Sequence, residues 1–336
     1  MREPKPVWSA VPAVVQAALA DRLGSPVLEA AIAWGGYTPS ASFIVTLANG
    51  KRVFIKGAHP GQNTYGVAAF KAEQQIYQNY PQLSGIAPAY ICEVELADWH
   101  LMVLEAIEGG EKLLPWTKAK LEAVFLTLET LHKRIPAKPD GMNELATDPG
   151  MADLVSGRIG WRSLEQDNGF EQFYNKFADP LAAQAWFELL LPQLMELECQ
   201  VASLGGRYQT LHVDLRSDNM LLRADGSAVL LDWPNLCWGP LVYDLTYFAN
   251  SVVLEGYGTH EDVFALAGDV LQTGFERNDQ LISMANMSGY FAASCIKPEV
   301  EMLPRLRGFQ LQQLRAALPW MARLLKASPS PQAKGI

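Results

Sequence analysis

Apolar and polar positions follow two different periods along this chain, and the change falls near residue 108. In the first part, Phe43, Val45 and Leu47 share one face of a predicted strand. After Asn49-Gly50, a strong hairpin signal, Lys51, Val53 and Ile55 face one way while Arg52, Phe54 and Lys56 face the other. Lys56 therefore closes a strand whose side-chain direction the sheet fixes. The segment VPAVVQAALADRLGS reads as a short amphipathic helix closed by Gly24. From Tyr65 to Tyr80, Ala69, Glu73, Ile76 and Tyr80 fall near one helical stripe. AYICEVEL and WHLMVLEAI predict two more strands around a tight turn at Ala97-Asp98. The pattern is a small antiparallel sheet with a helix packed on it.

After Glu108-Gly109-Gly110 helical periodicity takes over, at 115–134, 165–178, 181–203, 260–277, 278–296 and 303–326. One apolar pair interrupts it: MLLR at 220–223 and AVLL at 228–231, joined by Ala224-Asp225-Gly226-Ser227, whose Asp-Gly predicts a hairpin. The expected class is α+β, with a mostly β lobe over 1–107 and a larger, mainly helical lobe over 108–336. The terminal SPSPQAKGI is polar and rich in breakers, and is expected to fray.

With 49% hydrophobic and 19% charged residues in 336, the chain has the material for a sizeable apolar interior. Its net charge of -9, from 27 basic and 36 acidic residues with no long basic run, argues against a nucleic-acid partner. Cysteines 92, 199, 237 and 295 are widely spaced and form no CxxC, which favours reduced thiols and a cytoplasmic location. No stretch has the length of a membrane span, so no membrane association is expected, and nothing calls for an obligate protein partner.

The candidate chemistry lies in LHVDLRSDNMLLRADGSAVLLDW, residues 211–233. Folding back at the Asp-Gly turn brings Asn219 near Asp232, with Asp214 on the loop entering the same hairpin. A carboxylate and an amide oxygen together hold a hard divalent ion, while a second carboxylate stays available to a hydroxyl. Phosphoryl transfer needs that division of labour.

HVDLRSDN at 212–219, LDW at 231–233 and GPLVYDLTYF at 239–248 resemble the protein-kinase-like superfamily, and within it the aminoglycoside phosphotransferase family of small-molecule kinases. The resemblance implies the bilobal kinase-like fold. It makes Asp214 the catalytic carboxylate, Asn219 and Asp232 ligands of Mg2+, His212 an organiser of the catalytic loop, and Asp244 a structural carboxylate. Two departures stand out. Val213 replaces a small Gly, and Arg216-Ser217-Asp218 replaces His-Pro-Gly, leaving Arg216 either to approach the phosphoryl group or to pair with Asp218.

In the first lobe the resemblance makes Lys56 the phosphate-binding lysine, with Glu73 as its partner. GGYTPSASF at 35–43, with Ser40 and Ser42, is the expected phosphate-covering loop, although it lacks the GxGxxG pattern and Pro39 removes an amide donor. LEAI at 104–107 is the expected hinge, its backbone at Glu105 and Ile107 meeting adenine. ATP or GTP would lie between the lobes and donate to a hydroxyl-bearing small molecule, an aminoglycoside or other cationic alcohol among the options. Glu255, Asp262, Glu299 and Glu301 are candidate contacts for an amine. A nucleotide-binding pseudokinase is the alternative. Protein phosphorylation is disfavoured, because LDW runs into PNLCWGPLVYDLTYF with little room for a peptide-binding segment.

Overall fold

The computed structural model describes residues 3–35, 39–60, 64–108, 110–148 and 151–332. Among them the strands are β1 (Val27–Ile32), β2 (Ala41–Leu47), β3 (Arg52–Ala58), β4 (Tyr90–Leu96), β5 (Trp99–Glu105), β6 (Tyr208–Leu211), β7 (Met220–Leu222), β8 (Ala228–Leu230) and β9 (Cys237–Pro240). The α-helices are α1 (Ala13–Leu23), α2 (Thr64–Asn79), α3 (Lys118–Arg134), α4 (Ala152–Val155), α5 (Gly169–Tyr174), α6 (Pro180–Glu188), α7 (Leu191–Leu197), α8 (Leu241–Leu254), α9 (His260–Leu271), α10 (Arg277–Cys295) and α11 (Leu306–Leu325). They form two compact units, one of Met1–Leu113, Asp218–Pro234 and Glu301–Pro304, the other of Leu114–Ser217, Asn235–Val300 and Arg305–Ile336.

The first unit is built on an antiparallel sheet of order β1-β2-β3-β5-β4. Phe43, Val45, Val53, Ile55, Leu101 and Val103 point from one face into a buried cluster with Val11, Val15 and Leu19 on and just before α1. Burying side chains of this size contributes roughly 1.5–3 kcal/mol each. Gly50 turns the β2–β3 hairpin with φ 82°, and Ala97 and Asp98 turn β4 into β5 with φ 51° and 62°. A two-residue turn with positive φ at both positions matches the twist of the strands it joins. The first compact unit runs on past residue 107 to Leu113 and takes in the β7–β8 hairpin. Backbone hydrogen bonds explain this. Glu111 and Leu222 exchange both of theirs, and the Leu230 N–H reaches the Ile86 carbonyl.

In the second unit the periodicity missed the four-residue α4 and the long helix α8. Eleven of the 14 residues of α8 are buried, so it lacks the polar stripe by which an amphipathic helix is read. Other predicted helices prove shorter. The 181–203 stretch breaks into α6 and α7, where Pro192 enters at the start of α7, and 260–277 ends at Leu271, where Gln272 turns left-handed at φ 52°. The β6–β9 ladder, from Tyr208↔Pro240 to Leu211↔Cys237, leads directly into the loop that begins at His212.

Buried Glu198, just past α7, ties this unit together. Its two carboxylate oxygens accept from the Trp161 N–H at 2.6 Å and the Arg162 N–H at 2.9 Å. α10 passes so close that a Cβ on Gly289 would stand 2.6 Å from Glu198 Oε2 and 2.9 Å from the Trp161 nitrogen. Burial raises the carboxyl pKa to about 7, against the opposing effect of the two N–H donors. With the folded pKa above the unfolded one, the folded protein holds the extra proton. This contribution to stability is complete below the unfolded value and is lost as pH rises through about 7. Glu198→Gln turns an amide NH2 toward one of the two N–H groups and should cost about 1–3 kcal/mol. Denaturant titrations at pH 5 and 7.5 should also show a flatter pH dependence in E198Q than in the native chain; parallel pH profiles would contradict the assignment.

Candidate active site

Lys56 lies on β3, with Ser42 opposite it on β2 and Met102 opposite it on β5. It points away from the α1 cluster, toward α2, where its ammonium meets Glu73 Oε2 at 2.6 Å. The same ammonium is ion-paired with Asp232. Burial works to depress the lysine pKa, but Asp232 and Glu73 together outweigh it and the pKa is raised. For Glu73 burial dominates and its pKa is raised, the attraction of Lys56 notwithstanding. Lys56 is thus held charged between two carboxylates, and the Trp233 N–H anchors Glu73 Oε1 at 3.4 Å.

The β7–β8 hairpin sets Asp232. Met220 pairs with Leu230, so Asn219 and Asp232 come to its open end, and the Leu231 N–H donates to the Asn219 carbonyl at 2.8 Å. Asp232 adopts a left-handed φ of 66°, a region that Asp enters more readily than most residues. Asn219 is buried, whereas the Asp232 side chain keeps 36% exposure. Among the described residues no three His, Cys, Asp or Glu gather as a metal cage. Asp232 and Asn219 instead offer two hard oxygen donors. That suits magnesium, which characteristically takes one or two protein ligands and completes its shell with phosphate and water.

The other candidates in this unit are placed as follows. Buried Ser40 and Ser42 have their hydroxyls 3.4 Å apart, and Lys5 donates to Ser42 Oγ at 3.2 Å. Positions 36–38 of the expected phosphate loop, and Gly109 after the expected hinge, lie outside the described residues. At that hinge the Glu105 N–H bonds the Ala89 carbonyl at 2.8 Å, and its carboxylate takes two bonds from Arg223 at 2.7 and 3.2 Å. Ile107 follows the end of β5, half-buried. The Glu105–Arg223 pair, unforeseen from the sequence, fixes β5 to the hairpin carrying Asn219 and Asp232.

In the second unit the loop after β6 is held from α8. Asp244, fully buried in the first turn of that helix, accepts from the His212 N–H and the Val213 N–H, each at 2.8 Å. Burial raises the Asp244 pKa to about 6, the two N–H donors opposing it and the nearby Asp214 adding to it. Buried His212 accepts the Asp214 N–H at Nδ1, 3.3 Å away, so that nitrogen presents its lone pair. Asp214 is one-third exposed and ion-paired with Arg216 at 3.3 Å. Arg216 also lies over the Phe309 ring, 5.0 Å from its centroid. Of the two roles the sequence left open for Arg216, an ion pair within the loop is observed, and it is made with Asp214. Of the acidic acceptor candidates, Glu255 accepts from Trp116 Nε1 at 2.6 Å and from Ser217 Oγ. Asp262 is taken up in capping α9 through Thr259, while Glu299 and Glu301 are exposed.

Val213, the residue that departs from glycine, has φ 67°. A β-branched side chain in the left-handed region is a strained backbone, held only where its surroundings over-determine it. Here the Asp244 carboxylate does so. The sequence carried a signal for this strain, since it put Val where the related motif has Gly.

A strand lysine paired to a helix glutamate, a hairpin ending in Asn and Asp, and a carboxylate-braced loop carrying His and Asp define a protein-kinase-like phosphotransferase fold. Solved structures match it over most of their length. The choline kinase LicA from Streptococcus pneumoniae has 15% identity and a TM-score of 0.57, over 90% of this chain and 97% of that one. Spectinomycin phosphotransferase in complex with ADP and spectinomycin has 13% identity and a TM-score of 0.60, over 89% and 93%. An ethanolamine kinase from Plasmodium vivax has 16% identity and a TM-score of 0.53, over 88% and 83%. No curated protein matches the sequence. The model of the phosphotransferase enzyme family matches residues 29–274, and the chain belongs to that family.

Asp244→Asn should cost about 1–3 kcal/mol, because an amide NH2 then faces one of two buried N–H donors. If the carboxylate serves to hold Val213 left-handed, Val213→Gly in the D244N background should recover part of that loss, glycine adopting the conformation without steric penalty. A double-mutant cycle read by denaturant unfolding tests this; strictly additive losses would show that Asp244 does not act on Val213.

Proposed function

We propose that this chain is a magnesium-dependent kinase that transfers the terminal phosphoryl group of ATP or GTP to a hydroxyl of a small molecule. The observation that carries the reading is Lys56 held charged between Glu73 and Asp232, with Asn219 beside Asp232 at the hairpin end. Lys56 binds the donor phosphates, aimed by Glu73. Asp232 and Asn219 hold the metal, which supplies positive charge to the oxygens of the transferred group. The backbone at Glu105 and Ile107 meets the base, and Ser40, with Ser42 at the start of β2, closes the segment over the phosphates.

Asp214 orients the acceptor hydroxyl and takes its proton as the oxygen attacks phosphorus. His212 and Asp244 act through the loop backbone and transfer no proton. Arg216, ion-paired with Asp214, holds that carboxylate in place. The acceptor is a small hydroxyl compound with a cationic group favoured, and Glu255, oriented by Trp116 and Ser217, is the carboxylate best prepared to meet it. The net charge of -9 supports the same preference, though distributed charge concentrates cations without selecting one. The neighbouring folds include enzymes named for choline, ethanolamine and spectinomycin, all amino or ammonium alcohols. Retention of Lys56, Asp214, Asn219 and Asp232 together weighs against a pseudokinase.

Titration calorimetry should find ATP or GTP binding that depends on magnesium, and its absence would sink the nucleotide assignment. Asp232→Ala should lose metal-dependent binding and turnover alike. Asp214→Ala should keep the nucleotide and lose at least ~100-fold in rate; equal loss of nucleotide affinity in both variants would contradict the division of roles.

The acceptor class is read by a coupled nucleotide-consumption screen over aminoglycosides, choline-like alcohols, amino alcohols and neutral sugars. A cationic alcohol should gain the mass of one phosphoryl group. Turnover of a neutral sugar alone would refute the cationic preference, and phosphate incorporated only into protein would refute the small-molecule reading.

A further inference from the structure

Tyr77 follows Glu73 by four residues on α2, so the two side chains stack on one face of that helix. The tyrosine is 9% exposed and its ring is stacked on Tyr90, with centroids 6.4 Å apart. Its hydroxyl is buried and has no hydrogen-bond partner among the described residues. Burial raises its pKa well above the ordinary tyrosine value, and the charges of Glu73 and Asp232 add to the shift. The hydroxyl therefore sits within the field of both carboxylates that flank Lys56, carrying a proton it does not share. Leaving such a donor unmade in the interior is costly, while phenylalanine would fill the same space without that cost.

We propose that Tyr77 is a positioning residue for the phosphate-binding lysine, its hydroxyl donating to Glu73 when a nucleotide draws the Lys56 ammonium toward phosphate. The inference rests on the reading of this cluster as the nucleotide site. In the present arrangement Lys56 serves Glu73 Oε2 and Asp232 together, and among the described residues the other donor to Glu73 is the Trp233 N–H, at a long 3.4 Å. Glu73 is 1% exposed, so water has little access to it when the ammonium turns to new acceptors. A carboxylate has about four lone-pair directions, and Tyr77 stands one helical turn from Glu73 on the same face of α2. The bond holds Glu73 ionised and aimed, and Glu73 in turn keeps Lys56 on the phosphates.

The test is Tyr77→Phe in the full chain, with unfolding measured without ligand and Mg-ATP and Mg-GTP binding measured by calorimetry. The hydroxyl is idle without nucleotide, so the variant should be as stable as the native protein or more so. Its nucleotide Kd should rise about tenfold, the scale of one hydrogen bond to a charged acceptor. An unchanged Kd overturns the proposal and leaves the nucleotide site standing. A variant clearly less stable without ligand also overturns it, since the hydroxyl would then already be engaged. If the native chain binds neither nucleotide, the reading of the site fails first and this inference with it.

Discussion

The fold of the first unit is organised around one buried ammonium. Lys56 is carried into the interior by β3, and an isolated charge there would be driven to deprotonate. It stays charged because α2 brings Glu73 to it from one side and the β7–β8 hairpin brings Asp232 from the other. Each partner has its own brace: Trp233 on Glu73, and the Glu105–Arg223 pair on the hairpin. The cluster sets two carboxyl groups against one ammonium. A buried ionic group of this kind adds little to net stability, since desolvation offsets most of the attraction. Its value is positional. It places a cation and a carboxylate close together on two elements far apart in sequence.

The second unit uses buried carboxylates differently, with backbone rather than side-chain donors. Asp244 takes the N–H groups of His212 and Val213, and Glu198 takes those of Trp161 and Arg162. In both cases adjacent N–H groups at a turn would otherwise be buried without partners, and one two-oxygen acceptor satisfies them. Both carboxyls are pushed upward in pKa by burial, to about 6 and about 7. Asp244 adds strain to that arrangement, fixing Val213 at a φ its side chain resists, and the position of Asp214 follows from that fixed loop.

The sequence by itself determined the strands around Asn49-Gly50, the helix bearing Glu73, the Asp-Gly hairpin and the order of His212, Asp214, Asn219 and Asp232. These are local facts, written in periodicity, turn residues and spacing, and neighbours in the chain enforce them. Tertiary structure alone decided the rest. It set α8 inside the second unit, where burial on all sides erases the helical stripe, and it gave the β7–β8 hairpin to the first unit through pairing with Glu111 and Ile86. It also turned Arg216 to Asp214, and left the Tyr77 hydroxyl, one helical turn from Glu73, without a hydrogen bond among the described residues. Partner choice of this kind depends on distances between groups many residues apart. A linear pattern carries no such distance, because long-range pairing is settled by packing and by which buried polar groups remain to be satisfied.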